Sequence, residues 1–185
     1  MGIRKSDRHK RKAPQRTKIT VDAEGVRNFL APVAAQLRRG AACAFVCIGT
    51  DCSTGDAFGP LVGTALKARG WSRVYGTMEH PLDAVRLSSE GIIVPEDTIV
   101  VTIDACLGKA DSVGKFAVAE GPLQPGEGVG LQLPPIGDYS IAAVVNQLGP
   151  KPYWTLQTTS LHLVMRLADE AAEAIDDALR EAVML

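Results

Sequence analysis

The residues that could do chemistry are few: Asp51, Cys52 and Asp56 in the stretch Gly49-Thr50-Asp51-Cys52-Ser53-Thr54-Gly55-Asp56, then His80, then Asp104 and Cys106. Two carboxylates brought within a few ångströms repel one another, so one keeps a proton while the other stays ionised. That is a general acid beside a general base. Asp56 stands just before a predicted helix, whose N-terminal dipole favours an anion, so Asp56 is the expected base and Asp104 the expected acid. Asp51 competes for a catalytic role or turns back on loop amides as an Asx-type residue. A nucleophilic Cys52 or Cys106 would need an activating base such as His80, and packed cysteines beside a sheet edge are commoner than catalytic ones.

Strand and helix signals place these groups. Ala44-Phe45-Val46-Cys47-Ile48 is a short apolar run that reads as a buried strand, and Leu61 to Arg69, closed by Gly70, reads as a helix. The loop between them is where open α/β sheets carry their sites. Thr98-Ile99-Val100-Val101-Thr102-Ile103 reads as a central parallel strand with Asp104 at its carboxyl end, so both acids would hang from one sheet edge. Pro125-Gly126-Glu127-Gly128-Val129-Gly130 is suited to turns or to close approach of another chain. Asp51, Ser53, Thr54, Gly126, Gly128 and Gly130 are therefore the expected substrate-binding residues beside Asp56 and Asp104.

Around these, Asp22 is expected to cap a first helix that Pro32 kinks or splits, residues 71 to 77 to form a short strand, and Pro81 to open a helix through Leu87. Residues 113 to 119 read as a strand, residues 141 to 148 as a helix capped by Asp138 or Ser140, and 153 to 157 as a last strand. Leu161, Val164, Met165, Ala168, Ala171, Ala172, Ile175, Leu179 and Val183 recur at helical spacing. The alternation predicts a three-layer α/β/α sandwich with a mainly parallel sheet.

The 185 residues, 46% hydrophobic and 22% charged with net charge −1, suit one α/β domain over residues 21–185 behind a disordered basic tail at 1–20. The tail would suit weak contact with nucleic acid or an acidic partner, or simply stay solvated, with a mitochondrial transit signal as a third reading. Cys43, Cys47, Cys52 and Cys106 form no CxxC pair, and no signal peptide is evident, which points to free thiols in the cytoplasm. No apolar run is long enough for a membrane span, and neither a P-loop nor a dinucleotide fingerprint occurs.

Taken in order, Gly49 to Val62, Val74-Tyr75-Gly76-Thr77, Ile103-Asp104-Ala105 and Pro125 to Gly130 resemble the spore-protease family called YyaC over roughly residues 43 to 165. That family is similar to the germination protease of spore-forming bacteria, which degrades small acid-soluble spore proteins. Its proposed catalytic aspartates stand in the contexts that Asp56-Ala57-Phe58-Gly59-Pro60 and Asp104-Ala105-Cys106-Leu107 match. The resemblance implies an aspartate-dependent endopeptidase in the forespore or mother cell, with a protein or peptide substrate, no cofactor, and homo-oligomer formation left open. The chain is considerably shorter than the germination protease and shows no evident pro-segment, so zymogen control does not carry over. More distantly it is similar to hydrogenase-maturation endopeptidases, where a metal needs a His besides two acids. His80, His162 and His9 offer no clear third ligand, so no metal is expected, with a metal-dependent maturation-type endopeptidase and a non-catalytic spore protein-binding module on the same fold as the alternative readings.

Overall fold

The structure is a computed structural model that describes residues 17–125 and 134–183. The chain runs β1 (Ile19–Val21), α1 (Ala23–Phe29), α2 (Ala31–Leu37), β2 (Ala42–Cys47), α3 (Phe58–Ala68), β3 (Val74–Tyr75), α4 (Ala84–Ser89), β4 (Thr98–Gly108), β5 (Phe116–Glu120), β6 (Tyr139–Gln147), α5 (Pro152–Gln157) and α6 (Leu161–Val183). The six strands form one sheet in the order β1-β5-β6-β4-β2-β3. Pairs β6/β4, β4/β2 and β2/β3 are parallel, while β5 runs antiparallel to both its neighbours. The mainly parallel sandwich expected from the sequence is the fold observed.

Burial follows strand alternation. On one face Phe45, Val101, Ile103 and Ile141 meet Val26, Leu30, Val62, Leu66 and the long stripe of α6, all buried in one cluster. On the other, Val46, Ile48, Val100 and Ala142 are covered by Leu87 of α4 and by Leu123 and Ile136 from extended segments. The second outer layer is thus thin. Asp22 caps α1 by accepting from the Gly25 amide at 2.9 Å, and Leu30 separates α1 from α2, with Pro32 in the first turn of α2 as the sequence requires. Among the described residues no helix is long and apolar enough to cross a membrane.

Five expectations change. Residues 139–147 form strand β6, not a helix, and Asp138 pins that strand, its carboxylate accepting from the Val100 amide at 2.9 Å. Residues 152–157 form helix α5, not a strand, with Pro152 in its first turn. Asp83 rather than Pro81 opens α4, accepting from the Arg86 amide, while Leu82 forms an isolated bridge with Ile48. Residues 19 and 20 of the expected tail belong to edge strand β1. Finally, β4 continues to Gly108, so Asp104 lies within the strand instead of at its end.

Candidate active site

The loop that carries Asp56 is closed by its own backbone. Gly49 leaves β2 at φ 148, its amide donating to the Leu82 carbonyl, and the Thr50 amide donates back to the Asp56 carbonyl at 3.1 Å. A 3₁₀ turn over Gly55–Ala57 follows and runs into α3, placing Asp56 one residue before Ala57, the N-cap of that helix. The turn is wedged between β4 and α5, with Gly55 against the backbone of Leu156. Because Cys47 pairs with Ile103, the start of this loop stands level with Asp104 on the neighbouring strand. Loop and strand converge there, and Asp104 feels the charge of Asp56 directly.

The two acids differ in their surroundings. Burial pushes the Asp104 carboxyl up to about 8, and the Asp56 charge adds to the rise, while a 2.8 Å bond from the Ala105 amide and the Lys18 ammonium oppose it. Asp56 is also raised by burial, against which the Ser53 hydroxyl favours the anion. Ser53 is only 7% exposed, and its oxygen makes no hydrogen bond of full geometry among the described residues, so it lies near Asp56 with bonding capacity to spare. Near neutral pH, Asp104 holds its proton and Asp56 is the readier of the two to ionise.

Of the other expected residues, Thr54 is half-buried beside the turn and Asp51 is exposed, accepting a long bond from the Cys52 thiol at 3.8 Å. Gly126, Gly128 and Gly130 lie outside the described residues. The cysteine alternative finds little support at Cys106, which burial and then the charge of Asp104 push up to about 11, leaving it a thiol. His80 is well exposed, with the Glu79 carboxylate 4.0 Å from its Nε2. Among the described residues no group of three His, Cys, Asp or Glu side chains is placed to hold a metal ion. Lys18 was missed by sequence reasoning because it ends a basic run. Its one sequence signal is the apolar Ile19 and Val21 that follow and pair with β5.

A family model described as a protein of unknown function, DUF1256, matches residues 18–174. The chain belongs to the DUF1256 family. Over 161 residues it is 41% identical to YyaC of Bacillus subtilis (strain 168), an uncharacterized protein, spanning 83% of this chain and 78% of the relative. Its fold is similar to the crystal structure of a [NiFe] hydrogenase maturation protease, HycI, from Thermococcus kodakarensis KOD1. That match has TM-score 0.51 and 23% identity, and covers 80% of this chain and 99% of HycI. This DUF1256 chain therefore has an α/β fold like that of the maturation protease, with Asp56 in the turn after β2 and Asp104 within the neighbouring strand β4.

Proposed function

We propose that this chain is an endopeptidase of sporulating cells that cleaves small acid-soluble or other spore proteins, with Asp56 as general base and Asp104 as general acid. The observation that carries the reading is the convergence of two half-buried carboxyls whose surroundings leave the proton on Asp104. In the forward step Asp56 takes a proton from water as the water oxygen bonds to the peptide carbonyl carbon. Asp104 donates its proton to the peptide nitrogen, the C–N bond breaks with its electron pair going to that nitrogen, and the new amine leaves neutral beside a new carboxylic acid. The next turnover begins when the proton on Asp56 has returned to solvent and Asp104 has been reprotonated. The buried Ser53 hydroxyl lies against Asp56 and favours its anionic form, which suits a base. The peptidase-like fold and the resemblance of both aspartate contexts to those of the germination protease support the same reading.

The test is incubation of the purified protein with acid-soluble spore proteins, followed by gel and mass analysis. Discrete fragments are expected at neutral pH, with or without EDTA. The rate should fall as pH rises through about 8, where Asp104 gives up its proton, and fall again in acid, at a pH above the usual carboxylate range, as Asp56 becomes protonated. Absence of fragments, or cleavage that EDTA stops while Asp104→Asn leaves it intact, would overturn the assignment.

A further inference from the structure

Away from the acid pair, a cavity of about 490 Å³ opens at the β3 edge of the sheet. Its size lies within the range of ligand-binding clefts. Its walls come from both faces. Lys67 projects from α3, which packs on the helix-rich face with Val74, whereas Arg86 projects from α4, which covers the opposite face with Tyr75. Both cations are exposed, and neither forms an ion pair among the described residues; the Arg86 guanidinium donates only to the Pro81 carbonyl at 3.2 Å. Leu82 and Ile92 supply apolar surface between them, and Glu90 lines the same cavity, so two fixed cations stand against one carboxylate.

The floor is the outer edge of the sheet, where among the described residues β3 pairs with β2 alone. Phe45 of β2 donates to the Arg73 carbonyl at 2.9 Å, and in a parallel pair alternate residues turn to alternate sides. Arg73 and Tyr75 therefore turn toward β2, and the N–H and C=O of Val74 turn outward. Consecutive side chains of a strand laid against that edge would point to opposite faces, one toward Lys67 and the next toward Arg86.

We propose that this edge is a docking site for an extended acidic peptide segment, added beside Val74 as a seventh strand with one carboxylate at Lys67 and its neighbour at Arg86. The site stands apart from the acid pair and does not depend on the peptidase reading. Because β3 is only two residues long, the outward groups of Val74 offer one donor and one acceptor, so backbone pairing and the two charges must act together.

The test is fluorescence anisotropy with a fluorescein-labelled peptide, Thr-Val-Glu-Asp-Val-Thr, against wild type and the Lys67→Glu, Arg86→Glu double variant, whose fold is checked by circular dichroism. Both substitutions lie on exposed helix surface. Expected are saturable binding that weakens with added salt, a loss of about tenfold or more in the double variant, and a comparable loss when the Glu-Asp pair is N-methylated. Inorganic phosphate should not displace the peptide at matched ionic strength. No saturable binding to wild type, equal binding by the folded double variant, undiminished binding of the N-methylated peptide, or displacement by phosphate would each overturn the proposal.

Discussion

At about pH 9 the Asp104→Asn protein is expected to unfold several degrees above wild type, whereas near pH 4 the two should melt together. The folded carboxyl is pushed up to about 8, chiefly by burial, while in the unfolded chain it ionises near 3.9. Between those values the folded state holds a proton that the unfolded state has released. Stability from this group is therefore complete below about pH 4 and is lost as pH rises through about 8. Above that, wild type must keep a charge in a partly desolvated position, on the order of a few kcal/mol, and Asn carries none. For a domain of this size each kcal/mol moves the melting temperature by roughly 2–4 °C. The same substitution takes away the proposed acid, so cleavage should drop by about a hundredfold or more. Stability and activity thus move in opposite directions, which simple damage to the fold would not produce. Calorimetry at the two pH values, with the cleavage assay alongside, checks both. An Asn protein that melts below wild type at both would mean that Asp104 does not carry a raised pKa in the folded chain.

What the sequence revealed and what it hid follow from how many faces each element buries. Strand β4, with Ile99, Val100, Val101 and Ile103 β-branched and buried on both faces, was plain, as was α6 with its single apolar stripe. Strand β6 was not. Ile141-Ala142-Ala143-Val144-Val145 is buried throughout, so it shows no alternation, and its alanines fit a helix as readily. Helix α5 hides for the opposite reason, since Tyr153 and Trp154 read as strand residues but are more than half exposed, and only Leu156 is buried. Asp56 and Asp104 could be named from the two strand-to-loop patterns. What sequence could not supply was that the backbone of β4 runs on past Asp104, or that α5 walls the turn that holds Asp56. Both depend on pairings between residues far apart in the chain.

Gly63→Ala is expected to destabilise the protein by about 3 kcal/mol or more, although an alanine in a helix interior ordinarily gains about 1 kcal/mol over glycine. Gly59 and Gly63, one turn apart on α3, form the stripe by which that helix lies against the sheet. A Cβ at Gly63 would collide with the carbonyl oxygen of Gly76 after β3, and one at Gly59 with the backbone of Ile48 after β2. Neither obstacle is a side chain that can rotate aside, so α3 must lift from the sheet and give up the packing of Phe58, Val62 and Leu66. The lift would be felt at the acid pair, because the turn bearing Asp56 enters α3 directly and is tied to Thr50. Cleavage should therefore fall even at temperatures where Gly63→Ala remains folded. Gly149→Ala provides the contrast, since a Cβ there meets nothing within 4 Å, and it should leave both melting temperature and cleavage unchanged. Urea unfolding of the three proteins decides the matter: a Gly63→Ala protein as stable as wild type would mean that α3 does not rest on the sheet through these glycines.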